Sequence, residues 1–227
     1  MAKPKMLNFA AIFDMDGVIV PNHRYHLRSW QQMLRRHGVD MTVQEFNDRY
    51  FGRVSQESLR LIFGRKINQK VLKRYALEKE QIYRQIYSRA VRPTPGLAKF
   101  LGALRAAGVK IALATSGPKE NIRFVFQRTG LRNFFRVVLD SSMVSHGKPH
   151  PEVYLKAAKK LGADPRRCVV FEDSLPGVES ARRAGMRVVG LATTLAAREL
   201  GGADLVVKDF RRLDPEKINR LLLRRGK

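Results

Sequence analysis

Cysteine is almost missing from this chain: Cys168 is the only one in 227 residues. A single thiol excludes an intrachain disulfide and fits a reducing compartment, so a cytoplasmic location is expected. Long apolar runs are missing too. No window approaches the roughly 18 consecutive apolar residues of a membrane-spanning helix, so no membrane partner is expected. The N-terminal MAKPKMLNFAAIF sets two lysines ahead of a short apolar stretch. That stretch runs straight into FDMDG without a small-residue cleavage site, and it reads as a core strand rather than a signal peptide. Acid is scarce: 20 Asp and Glu stand against 44 Lys and Arg, a net charge of +24. Such a chain is drawn to polyanions. Its basic residues are spread along the whole length, with no basic tract interleaved with aromatics and no helix-turn-helix, zinc-finger or RNP-like pattern. Nucleic acid is therefore expected only as a non-specific charge partner, and the chain is expected to be a monomer.

What is present is an ordinary hydrophobic fraction, 44%, enough for one large domain or a domain with an insertion. After the first strand, residues 21–92 carry no strand signal. Apolar residues recur there at helical spacing, as Leu27, Trp30 and Leu34 and again as Leu72, Tyr75, Ile82 and Ile86. RPTPG at 92–96 punctuates the chain. Strands and helices then alternate: LAKFLGALRAAG a helix, VKIALATSG a strand and its loop, KENIRFVFQRTG a helix, FRVVLD a strand. HPEVYLKAAKKLG, RCVVFEDS, LPGVESARRAG, MRVVGLAT, ADLVVKD and DPEKINRLLLRR continue the alternation to the C-terminus. The pattern predicts an α/β fold: a Rossmann-like parallel sheet with helices on both faces, formed by 1–20 and 93–227, and an inserted helical domain over 21–92.

In such sheets ligands bind at the carboxyl ends of strands. Asp14 and Asp16 follow the first strand, Thr115 and Ser116 follow KIALA, and Glu172 and Asp173 follow CVVF. Two acids and a glycine alone make a turn. Three strands delivering polar groups to the same kind of position do not follow from turns. Paired carboxylates beside a cation can divide nucleophilic and acid/base work.

FDMDGVIV, LATSG, GKPHPEVYL and FEDSLPGVESARRAG, in this order, resemble the four motifs of the haloacid dehalogenase superfamily, in the subgroup whose helical cap is inserted after the first motif. The resemblance implies that Asp14 is a nucleophile attacking phosphorus and that Asp16 is a general acid/base whose backbone carbonyl also binds metal. It implies that Glu172 and Asp173 supply the acidic pair at a Mg²⁺ ion, a cation suited to hard oxygen ligands. Thr115 is expected to hydrogen-bond a phosphoryl oxygen, with Ser116 its rival. Lys148, flanked as GKPHP, is expected to place a fixed positive charge beside Asp14 and the transferring group.

The stretch DGVIVPNHRYHLRSW is similar to that of β-phosphoglucomutases, in which a histidine follows the loop into the cap; here that residue is His26, expected to shield or position the two aspartates. Arg53, in YFGRVSQESL, is expected to meet the distal hydroxyls or phosphate of a substrate. This chain departs from the mutase pattern where it has Ser55 in place of an arginine, Phe51 in place of a lysine and Asn22 in place of a threonine. Asp16 argues against a dehalogenase, whose halide leaving group needs no proton, and DMDGV does not resemble the phosphonatase pattern. The expected function is a Mg²⁺-dependent phosphatase acting on a small phosphorylated metabolite, such as a sugar phosphate, through an aspartyl phosphate. A β-phosphoglucomutase is the alternative, and a nucleic-acid-binding protein on the same scaffold a more distant one.

Overall fold

The computed structural model describes residues 6–223, so the last residues of RLLLRRGK and the first five of the chain lie outside the described part. The chain opens with β1 (Ala10–Phe13) and then makes a run of helices. These are α1 (His23–Arg35), α2 (Val43–Glu45) continuing into a π-helical turn (Phe46–Tyr50), α3 (Ser55–Phe63) and α4 (Gln69–Tyr87). Alternation follows as α5 (Leu97–Ala106), β2 (Lys110–Ala114), α6 (Lys119–Thr129), β3 (Val137–Leu139) and α7 (Glu152–Leu161). The chain closes with β4 (Cys168–Glu172), α8 (Leu175–Arg183), β5 (Arg187–Leu191), β6 (Leu205–Val207) and α9 (Pro215–Leu223).

The six strands form one parallel sheet in the order β3-β2-β1-β4-β5-β6. Each strand is short and apolar, because helices cover both faces. The two-residue period of β1 shows this directly. Ala11 and Phe13 point into one apolar cluster with Phe100, Phe171 and Phe210, while Ala10 and Ile12 point into the other with Tyr154, Ala157 and Val170. Phe13 stacks on Phe171 of the neighbouring strand at 4.4 Å between ring centroids. A buried ring at this position is worth about 3–5 kcal/mol against alanine, so the register of the two strands that carry the acids is firmly fixed.

The helices α1–α4 have an apolar cluster of their own, built on Trp30, Met33, Leu34, Phe46, Leu59 and Leu72. Their apolar stripes are those read from the sequence, with α1 packing along α4. The order of the strands sets the site. From β1 the chain first builds β2 and β3 on one side, then crosses to β4, β5 and β6 on the other. β1 therefore lies at the switch point, where a crevice opens above the strand ends.

Candidate active site

Register brings the acids together. Phe13 pairs with Leu113 on one side and Phe171 on the other. The residues just beyond, Asp14, Thr115 and the Glu172–Asp173 pair, therefore emerge side by side at one sheet edge. The Asp14 N–H donates to the Phe171 carbonyl at 3.0 Å and the Thr115 N–H to the Leu139 carbonyl at 3.1 Å, which extends the ladder to the acids. Glu172 is the last residue of β4 and does not follow it, a shift of one position from the sequence reading.

Asp14, Glu172 and Asp173 are buried, and one carboxylate oxygen of each lies within 4.8 Å of the others. Lys148 reaches into this cluster from the loop before α7 and donates to Asp14 at 2.7 Å and to Glu172 at 2.5 Å. Glu172 is the most heavily engaged. It also accepts from the Tyr154 hydroxyl at 2.8 Å and from the Asp173 and Ser174 N–H groups and the Ser174 hydroxyl. Burial would raise its carboxyl, but Lys148 and these donors outweigh that and hold it below the usual range. Asp14 goes the other way, up to about 7. Its burial, with repulsion from Glu172 and Asp16, exceeds the pull of Lys148. Asp173 is pushed well above the ordinary range by burial and by Glu172 and Asp14, against a single hydroxyl donor, Thr194 at 2.5 Å. Three buried carboxylates against one ammonium leave an excess of negative charge, and all the donors are hard oxygens. That set fits a divalent cation such as Mg²⁺. Gly17, with a φ of +72°, makes room for the Asp173 carboxylate, with which any Cβ there would collide.

Asp16 is two residues on and turned elsewhere, toward the inserted helices. Its carboxylate accepts from the Asn22 amide at 2.6 Å and meets the His26 Nε2 at 3.2 Å. Burial would raise Asp16, but His26, Asn22 and Lys79 together bring it below the ordinary value. Asn22 stands at the start of α1 yet does not cap it. Its side chain instead binds the Gly17 N–H, Asp16 and the Tyr83 hydroxyl. His26 stacks on Tyr83 at 4.0 Å, and its Nδ1 faces the Lys79 ammonium at 2.9 Å. Lys79 pairs with Glu80 at 3.0 Å. Glu80 accepts from Ser55 of α3 at 2.7 Å and from Asn121 of α6 at 2.7 Å. A continuous polar chain thus runs from Asp16 through the inserted helices to α6.

Of the sequence-predicted residues, Asp14, Asp16, Thr115, Ser116, His26, Arg53, Lys148 and Asp173 line one space of about 60 Å³. Glu172 sits behind it. The Thr115 Oγ1 accepts from the Gly117 N–H at 3.0 Å, while the Ser116 hydroxyl is turned to the Gly52 carbonyl at 3.1 Å and ties the loop to the inserted helices. Lys79, Glu80 and Asn121 were missed by sequence reasoning, although all three line the same space. A signal existed for Lys79. It falls at 79 in the stripe 72–75–79–82–86, the spacing of the buried face, where a solvated lysine does not belong. The ALEKE run around it hid the signal, because charge runs on helices are ordinarily solvated.

A family model described as haloacid dehalogenase-like hydrolase matches residues 10–185. The phosphorylated carbohydrates phosphatase of Thermotoga maritima is 30% identical over 202 residues, covering 87% of this chain and 93% of that protein. The β-phosphoglucomutase of Bacillus subtilis is 30% identical over 206 residues, covering 88% of each. Among solved structures, a family IA, variant 3 HAD hydrolase from Entamoeba histolytica superposes with a TM-score of 0.86 at 29% identity, over 95% of this chain and 99% of the other. The acids at the strand ends, the lysine between them and the helices inserted after β1 thus occur in a chain that belongs to the haloacid dehalogenase-like hydrolases, close to the phosphatases and β-phosphoglucomutases of that family.

Proposed function

We propose that this chain is a Mg²⁺-dependent phosphomonoesterase that passes the phosphoryl group through Asp14, with residues 21–92 serving as a cap domain over a core of 1–20 and 93–227. The observation that carries the reading is the division of the two aspartates. Asp14 points at Lys148 inside the acidic cluster, and Asp16 points away from it into a separate hydrogen-bond set. Two carboxylates in opposed environments are what a nucleophile and a proton shuttle require.

In this mechanism an Asp14 carboxylate oxygen attacks phosphorus and the bond to the ester oxygen breaks. Asp16 gives its proton to the departing oxygen, then takes one from the water that attacks the aspartyl phosphate. Asp16 is held ionised by Asn22 and His26 in the closed arrangement, so the leaving group must displace those contacts for Asp16 to carry a proton. Lys148 neutralises charge on Asp14 and on the transferring oxygens, and Thr115 offers a hydroxyl to one of them. Asp14, Asp173 and the Asp16 carbonyl would hold Mg²⁺, with Glu172 fixing Lys148 beside it; when bound, the ion supplies charge neutralisation between nucleophile and phosphate.

Hydrolysis is favoured over the mutase reading by one position. Where the mutase pattern has an arginine, Ser55 donates its hydroxyl to the buried carboxylate of Glu80. A mutase must grip the second phosphate of a bisphosphate intermediate, and here a neutral serine, bonded to a Glu80 whose charge Lys79 already balances, stands in place of that cation. Phosphorus NMR with Mg²⁺, β-glucose 1-phosphate and a trace of β-glucose 1,6-bisphosphate separates the two. Inorganic phosphate as the product supports the phosphatase, and glucose 6-phosphate without inorganic phosphate establishes the mutase.

A further inference from the structure

The space around Asp14 is about 60 Å³, far below the roughly 300–1,000 Å³ of ordinary small-molecule sites. It has room for a phosphoryl group and little more. Immediately outside it, between the inserted helices and α8, runs an open groove of about 740 Å³. Phe51 and Arg53 line both spaces, so the two share a wall. Half of its lining residues are apolar. Val43 of α2 and Leu175 of α8, 53% and 52% exposed, are two of the few large apolar side chains left open to solvent. Both line the groove, one contributed by the inserted helices and one by the sheet's own helices.

Its charge is also unlike the rest of the molecule. In a chain of net charge +24, the groove is lined by Asp48, Glu179 and Glu199 against Arg53 alone. Glu179 pairs with Arg183 at 2.7 Å and Glu199 accepts from the Ala196 N–H, but neither Arg183 nor any lysine lines the groove. Asp48 has no ion-pair partner among the described residues. A second anion is therefore unwelcome there, while a hydrogen-bond donor or an amine is matched.

We propose that this groove is the leaving-group subsite. The substrate is a phosphomonoester whose leaving group passes Phe51 and Arg53, lies between Val43 and Leu175, and ends in an amine or other donor rather than a second phosphate or carboxylate. The proposal rests on the phosphomonoesterase reading above and adds to it the shape and charge of the group being released. It explains how an ester larger than the space around Asp14 is held.

The test uses the full-length Asp14→Asn protein, which cannot form the phosphoenzyme, with Mg²⁺ in a calorimeter. Three esters are compared: methyl phosphate, 6-aminohexyl phosphate and 5-carboxypentyl phosphate. The aminohexyl ester is expected to bind about tenfold or more tightly than methyl phosphate, from its buried methylenes and its charge. The carboxypentyl ester is expected to gain far less, against the pull of the chain's overall positive charge. Val43→Lys, at an exposed position, with Glu179→Lys, at a half-buried one, is expected to erase the aminohexyl advantage. Equal binding of methyl and aminohexyl phosphate, a preference for the carboxylate, or an advantage that survives the double substitution overturns the subsite. Loss of binding by all three esters and by inorganic phosphate instead overturns the phosphomonoesterase reading, and the subsite with it.

Discussion

Replacing Asp14, the proposed nucleophile, should make the metal-free protein more stable. Asp14 has its carboxyl raised from 3.8 to about 7 by burial and by Glu172 and Asp16, despite its bond to Lys148. The folded state therefore holds a proton on this side chain that the unfolded chain gives up. Below pH 3.8 both states are protonated and there is no penalty. As pH rises from 3.8 toward 7 the unfolded state is increasingly favoured, and above 7 the penalty is complete. The gap amounts to about 4 kcal/mol at 1.36 kcal/mol per pKa unit. Asp14→Asn removes the titrating group while keeping the shape. In EDTA at pH 8 its melting temperature should exceed that of the parent by roughly 10 °C, at about 2–4 °C per kcal/mol for a chain of this size. The gain should shrink as the pH is lowered and be nearly gone at pH 4. Mg²⁺ should also narrow it, by stabilising the parent. Scanning calorimetry across that pH range is the assay. A substitution that lowers the melting temperature at pH 8, or one whose gain is the same at pH 4 and pH 8, would refute the reading of Asp14 as a buried, charge-crowded carboxyl.

Four further outcomes are expected. Asp16→Asn should lower kcat by about 10²- to 10⁴-fold on alkyl phosphates and much less on p-nitrophenyl phosphate, whose leaving oxygen needs no proton; equal losses on both would remove Asp16 from proton transfer. Lys79→Met leaves Glu80 buried without its cation and should cost about 3–5 kcal/mol by urea unfolding, with part of the loss recovered when Glu80→Gln is added. Burial would raise Glu80, but Lys79, His26, Asn121 and Ser55 hold it below 4.5; its contribution is complete above pH 4.5 and is lost as pH falls through its lower folded value, so Glu80→Gln should flatten the acid side of the stability profile. Gly17→Ala combines a left-handed backbone with a clash against Asp173 and should cost about 1–3 kcal/mol, together with a loss of Mg²⁺ affinity measured by calorimetry.

The legible part of this molecule is the part governed by local rules. The two-residue and 3.6-residue periods, with Gly and Pro as punctuation, place every strand and the α/β alternation. Because the sheet is parallel and its strands end in register, the sequence positions after β1, β2 and β4 predict that Asp14, Thr115 and Asp173 meet. The polar chain beyond Asp16 was less visible for a physical reason. Lys79 and Glu80 are exposed or buried according to how α4 packs against α1 and α6, and no local pattern encodes that packing. Ser55 was noted only as a missing arginine; its bond to Glu80 is a tertiary fact. Asn22 was noted only in place of a threonine; its bond to Tyr83 depends on a helix 61 residues away in the chain. The acidic groove was hidden for a further reason, since Asp48, Glu179 and Glu199 are scattered in a chain whose overall charge points the other way.

The most direct test of the central reading is an acid-quenched single turnover. The protein is mixed with Mg²⁺ and a phosphomonoester or acetyl phosphate, stopped in acid within milliseconds, digested and analysed by mass spectrometry. The account predicts one peptide that gains the mass of a phosphoryl group, carried on Asp14 and lost on brief treatment with hydroxylamine, and no such peptide from Asp14→Asn. Turnover by Asp14→Asn at the parental rate, or a phosphoryl group found on another side chain, would contradict it.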